Sequence, residues 1–362
     1  MLIQRTDRAG QEKEADGMEL SERQKQLLSA IVERYIATGE PVGSKTLVDA
    51  AVLPVSSATV RNEMAALTAA GLLEQPHTSA GRIPSSAGYR YYVDHLMRPY
   101  GLSLVEKQIL ASRLRAASGD ARQVLETAGS LLSEMTRCAA LSTTPSDADA
   151  VVRRVELVPI GVRTAMVVVL TSSGLLKSRV CRTDTELTVD MAETFYNLVQ
   201  EHFLGKPAAA LNVATIQTLA VSLGERALQM TPLLVTLSEL AATTERTQLL
   251  LEGQGNLLGY RELRGSACEL LDFLRRPEPL DRMFSEAPHP ADGEPVVVIG
   301  RENPYRELQN ATLVFGRYAI AGHESGTLGL LGPTRMDYAR IIPSLQELTE
   351  IVGKVLSDSV EE

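Results

Sequence analysis

Apolar positions recur at three- and four-residue spacing early in the chain. Leu27, Leu28, Ile31, Val32, Tyr35 and Ile36 mark one face of a helix. Ser21 opens it, and Gln24 three residues on completes a capping box. Thr38-Gly39-Glu40-Pro41 ends it, because glycine suits the position after a helix and proline cannot continue one. Ser44 can cap a short second helix carrying Leu47 and Val48, and Pro54 separates that from a third. Ser56 or Ser57 caps the third, which runs from Ala58 to Ala70 and stops at Gly71. On it Val60, Met64 and Leu67 form one stripe, while Arg61, Asn62, Ala65 and Ala66 fall on the opposite side. Leu72 to Pro76, a turn-rich stretch from His77 to Gly81, then Arg82-Ile83-Pro84 read as strand, loop and returning strand. Three helices followed by a hairpin predict a winged helix-turn-helix. A further helix, Gly88 to Met97, carries Tyr89, Tyr92, Val93 and Leu96 on one side.

Beyond Pro99-Tyr100-Gly101 the pattern predicts helices over Val105–Ala117 and Ala121–Leu141. Val151–Leu157 and Thr164–Leu170 are β-branched and predict strands, with Leu175–Arg182 pairing back as a hairpin. Helical stretches then dominate: Val189–Phe203, Asn212–Leu228 and Thr231–Glu245. The strand signal returns at Pro295–Gly300 and Ala311–Ala321, and Ser344–Leu356 is an amphipathic helix. A sheet interrupted in this way predicts an inserted helical subdomain. The fold class expected is α+β: a disordered tail over 1–17, a winged helix over 18–98, an α/β domain over 99–188 and 276–362, and the insertion over 189–275.

Composition narrows the classes. Aromatics are 4% of the 362 residues and Trp is absent, so the cores must be aliphatic. The longest apolar run, Ala165 to Leu170, is far short of the ~18 residues of a membrane span. The polar, charged start argues against a signal peptide. Cys138, Cys181 and Cys268 are widely spaced, which argues against a disulfide framework and for the reducing cytoplasm. The net charge of −9 is unevenly spread: residues 18–98 hold eight basic and eight acidic groups, so the deficit lies elsewhere. Nucleic acid would therefore have to meet a focused patch.

The third helix offers one. Arg and Asn are residue types that read guanine and adenine edges, which makes Arg61 and Asn62 the candidates for base readout. Alanines at 65 and 66 let the helix sit deep in a groove. Ser56, Ser57 and Thr59 cluster at its N-terminus, where hydroxyls and free N–H groups favour phosphate. In the hairpin loop, His77, Thr78, Ser79 and Gly81 keep the backbone open to close approach, and Arg82 could reach phosphates or a narrow minor groove.

Other motifs are weaker. Gly39-Glu40-Pro41-Val42-Gly43-Ser44-Lys45-Thr46 imitates a phosphate-binding loop but has the wrong spacing between its glycines and before its lysine. His323-Glu324-Ser325 is not a triad, since neighbours on a strand face opposite ways; a solvated strand end is expected. The histidines show no metal-ligand spacing, and no cofactor is implied. Gly326-Thr327-Leu328-Gly329-Leu330-Leu331-Gly332-Pro333 reads as a tight, closely packed strand turn. An enzyme is not expected.

Several runs carry a resemblance. Gly39 to Leu47, SSATVRNEMAAL at 56–67, GLLEQPHTSAGRIPSSAGYRYYVDHLM at 71–97, Glu302-Asn303 and GPTRMDYARII at 332–342 resemble the heat-inducible transcription repressors of the HrcA family. Departures are slight: Ser85-Ser86 replace a Thr followed by a charged residue, and Val60 stands where Ile is common. The resemblance implies a homodimeric repressor of chaperone operons that binds an inverted-repeat operator in double-stranded DNA. It implies a GAF-like domain with an inserted dimerisation domain, and modulation by the GroE chaperonin. It places the recognition helix at Ser57–Ala70 and the wing at His77–Ile83. The rival expectation is a regulator whose GAF-like domain senses a small molecule.

Overall fold

The computed structural model describes residues 20–49, 55–77, 80–117, 120–145, 151–172, 176–244, 247–290 and 293–361. The expected tail at 1–17, and Thr78 and Ser79 of the wing, lie outside them.

The head begins with α1 (Glu22–Thr38), capped reciprocally by Ser21 and Gln24 and closed by Gly39 in the left-handed region. Next come α2 (Ser44–Asp49) and α3 (Ser57–Ala69), the latter capped by Ser56, which accepts from the Thr59 amide. A hairpin of β1 (Leu73–Glu74) and β2 (Ile83–Pro84) follows, antiparallel, with Leu73 opposite Pro84. Val42 bridges Arg82 on the hairpin's edge. α4 (Ser86–Tyr91) continues into a wide π-helical turn, Tyr92–Leu96. This is the predicted winged helix-turn-helix.

The body is built on a five-stranded antiparallel sheet. Its strands are β3 (Ala139–Thr143), β7 (Leu249–Glu252), β8 (Val296–Ile299), β9 (Ala311–Ile320) and β10 (His323–Pro333), in the order β7-β3-β10-β9-β8. Helices α6 (Ala121–Thr136) and α12 (Tyr338–Glu361), backed by α5 (Leu104–Ala116), cover one face. α10 (Ala267–Leu274) and α11 (Pro277–Glu286) cover the other.

Three expectations are corrected. The helix expected to reach Leu141 stops at Thr136, because Arg137 adopts a left-handed conformation and turns the chain into β3. Cys138 to Leu141 are apolar in any conformation, so periodicity alone could not separate the two. The glycine-rich run 326–333 is no turn; it lies within β10. Its glycines allow close packing: a Cβ at Gly326 would stand 2.4 Å from Tyr318 Oη.

The third correction concerns the insertion. Strands β4 (Val152–Gly161), β5 (Thr164–Thr171) and β6 (Leu176–Arg182) do not join the body's sheet; they form a separate three-stranded one. They share a core with α7 (Val189–His202), α8 (Val213–Leu223) and α9 (Ala227–Thr244). Residues 249–275, expected in the insertion, instead pack with the body through β7 and α10. The physical unit is the hairpin sheet plus its helices, since Val155, Val167 and Val169 are buried only against Phe195, Val199, Leu233 and their neighbours. No helix among the described residues is long and apolar enough to cross a membrane.

Candidate nucleic-acid interface

The outward face of α3 is set by its inward one. Val60, Met64 and Leu67 sink into a core with Leu27, Leu28, Ile31 and Val32 of α1. That fixes the helix's rotation, so Arg61, Asn62, Ala65 and Ala66 all stand exposed. Neither Arg61 nor Asn62 has a side-chain hydrogen bond or ion pair among the described residues. The one acid on the helix, Glu63, is turned aside toward Arg23 of α1 at 3.6 Å, so a negative group is held away from the open face.

The N-terminal hydroxyls are brought together. Ser56 Oγ lies 2.9 Å from Thr59 Oγ1, and Ser57 Oγ lies 3.0 Å from Ser44 Oγ at the start of α2. The second contact joins the first turns of the two helices. Lys45, exposed beside Ser44 and without an ion pair among the described residues, adds a cation to this edge. Lys45 was not among the sequence candidates, although its place beside the helix start at Ser44 was the available signal.

The wing is divided. His77 is exposed, and its carbonyl accepts from the Ala80 amide at 2.9 Å, which turns the tip. Gly81 and Arg82 also make contacts within the head. A Cβ at Gly81 would stand 2.4 Å from the Val42 carbonyl oxygen, so its bareness admits the Pro41-Val42 backbone. Arg82 exchanges two 2.9 Å backbone bonds with Val42, and its Nε donates to Thr68 Oγ1 at 3.0 Å. Arg82 therefore lies against the end of α3, at the base of the wing.

The back of the head is joined to the body by contacts that sequence reasoning did not assign. Arg90 of α4 donates from Nε and Nη2 to Glu302 at 2.8 and 2.5 Å, and from Nη2 to the Val297 carbonyl at 2.6 Å. Burial by itself would lower the Arg90 pKa, but the Glu302 carboxylate outweighs it and holds the pKa above the ordinary range. Arg335 reaches the other way: it pairs with Glu262, donates to the Ile36 carbonyl at 3.3 Å and lies over the Tyr260 ring. Asn303 donates to the carbonyls of Gly300, Leu308 and Ala311, shaping the loop that presents Glu302.

An open helix face on a capped winged helix-turn-helix head is the architecture of DNA-binding transcription regulators. The comparisons with known proteins give the class its particular member. Residues 19–94 match the winged helix-turn-helix transcription repressor, HrcA DNA-binding family, and residues 122–342 match the HrcA protein C terminal domain. The chain is 36% identical to the heat-inducible transcription repressor HrcA of Desulforudis audaxviator, covering 94% of this chain and 98% of that one. It is 32% identical to the one of Acetivibrio thermocellus, covering 94% and 99%. A solved structure described as a hypothetical protein superposes with a TM-score of 0.66 at 23% identity, covering 94% and 100% of the two chains, and shares the fold. The chain belongs to the HrcA family of heat-inducible transcription repressors.

Proposed function

We propose that the chain acts in the cytoplasm as a homodimer, each head reading one half of an inverted-repeat operator at chaperone genes. α3 enters the major groove, where Arg61 and Asn62 read base edges. Ser56, Ser57, Thr59 and Lys45 meet phosphates, and the wing segment 77–79 lies along the minor groove. Arg82 supports α3 and offers its remaining donors to the backbone. The observation that carries this reading is the open face of α3, with Arg61 and Asn62 exposed and the helix acid paired elsewhere.

A second copy is supported by the insertion's sheet. Its inner face is covered by helices; on the other, Val158, Met166 and Val180 lie side by side near Ile160, with Ile160 57% and Val180 59% exposed, and Val168 and Leu170 share the face with Arg154, Glu156 and Ser178. An exposed apolar patch rimmed by polar residues in this way marks an association surface. Two-fold pairing then matches a two-fold operator. The GroE chaperonin is proposed as modulator, since Val221 and Leu228 expose further apolar surface on the insertion's helices.

A small-molecule sensor is less well supported. Among the described residues, a cleft beside β9 holds about 150 Å³, against ~300–1,000 Å³ for ligand pockets. Its Arg317 is already engaged by Glu324 and by the Phe284 and Ala287 carbonyls. The test is a footprint of the full chain on its own chaperone promoters, with and without purified GroE, alongside sedimentation. Two protected half-sites and a dimer are expected. Protection of one unrepeated stretch by a monomer contradicts the reading.

A further inference from the structure

We propose that Arg90 and Arg335 are positioning residues that lock the winged head onto the body and thereby set the operator spacing two heads can reach. This rests on the dimeric DNA-binding reading above and specifies what governs its geometry.

The two arginines work reciprocally. Arg90 leaves the head to grip the body at Glu302 and the Val297 carbonyl. Arg335 leaves the body to grip the head at the Ile36 carbonyl, itself held by Glu262 and the Tyr260 ring. Each is three-quarters buried, as is its acidic partner. Between them Tyr89 of the head meets Tyr338 of the body, ring centroids 5.7 Å apart. Gly300 lies so close that a Cβ there would stand 2.3 Å from Ser86 Oγ. The connecting strap is pinned too: the Tyr100 amide donates to the Ala339 carbonyl at 2.9 Å and the Leu102 amide to Glu347 at 2.9 Å.

Apolar contact alone would hold the head in place without choosing its angle, because it is non-directional. A forked guanidinium on a carboxylate and a carbonyl accepts one orientation. Buried ion pairs contribute little net stability over apolar packing, and their best-attested use is to fix register. One such pair, Arg90 with Glu302, crosses the seam, and the Arg335 bond to the Ile36 carbonyl crosses it in the opposite sense; together they hold the head against rotation as well as separation. α3 plays no part in either grip, so its outer face is held in place and left open.

The test uses the full chain and duplexes built from the footprinted operator: one half-site, the intact repeat, and repeats with the spacer lengthened by five base pairs, about half a helical turn. The variants are Arg90→Gln with Arg335→Gln, and separately Glu302→Gln with Glu262→Gln, which keep side-chain volume if the first pair folds poorly. Half-site affinity should stay at the wild-type level, which also reports a folded head. Affinity for the intact repeat should fall roughly tenfold to a hundredfold as the second contact loses its fixed geometry. The penalty for the lengthened spacer should shrink. Wild-type spacer dependence in both variants, or tighter binding to the intact repeat, overturns the proposal. Failure of the wild-type chain to prefer the half-site over random DNA overturns the DNA-reading account and the proposal with it.

Discussion

The head and the insertion are attached to the body in opposite ways. Head residues Leu28, Leu67 and Tyr89 belong to the same continuous core as Val124, Leu328 and Leu345 of the body. The insertion keeps a core of its own, centred on Phe195, Val167 and Leu237. The part that touches DNA is thus fused to the scaffold, whereas the part with the open apolar sheet is a separate unit. The difference teaches that the position of the head is tied to the body's core, while the proposed pairing surface sits on a piece with a core of its own.

The strongest way to break this division is at the open sheet. Met166→Asp places a charge between Val158 and Val180, in the middle of the apolar patch, and a buried unpaired charge costs several kcal/mol. Sedimentation should show a monomer. Affinity for an intact inverted repeat should drop by roughly 10²- to 10⁴-fold, the range that loss of bivalency spans, while half-site binding is unchanged. A dimer of normal affinity would relocate the interface.

Next in size are cavities in each core. Phe195→Ala should cost ~3–5 kcal/mol and lower the calorimetric transition of the insertion alone. Leu28→Ala should cost ~2–5 kcal/mol and lower a transition in which head and body melt together. Both variants shifting one common transition would show that the cores are coupled. A smaller effect is expected from Ser56→Ala, which removes the cap of α3 at about 1 kcal/mol and should weaken operator and random DNA alike.

The last prediction concerns pH. Burial pushes Tyr92 and Tyr260 up to about 12 from 10.0, and Cys138 up to about 11 from 9.0. Above pH ~9 the unfolded chain loses these protons before the folded one does, so stability present at neutral pH is lost progressively toward pH 12. The melting temperature of the head-and-body unit should hold between pH 7 and 9 and fall beyond it. A steady rise across that range would contradict the burial of these groups.

The head was legible because its signals are local. Ser21 with Gln24, Gly39, Ser56 and the Val60-Met64-Leu67 stripe each fix a boundary or a face within a few residues. The body was harder to read because its sheet is assembled from distant pieces. β3 hides at the end of an apolar helix, β10 is punctuated by glycines, and β7 is only Leu249–Glu252. Sheet membership depends on pairing, and nothing local says that β4 to β6 pair among themselves and not with β8 and β9. At the site, exposure of Arg61 and Asn62 followed from the stripe beneath them. The roles of Gly81 and Arg82 did not, because Val42 and Thr68, their partners, lie on other elements. Arg90 with Glu302 and Arg335 with Glu262 were invisible for the same reason, although both Glu302 and Arg335 fall within runs that carry the family resemblance.

The central claim is that the outer face of α3 reads base sequence. It is tested most directly by titrating Arg61→Ala and the wild-type chain against the footprinted operator and against random duplex at one fixed salt concentration. Loss of a base-reading arginine should cost ~1–3 kcal/mol on the operator, roughly five- to 150-fold, with little change on random DNA. Equal losses on both duplexes would reduce Arg61 to a phosphate contact and contradict the claim.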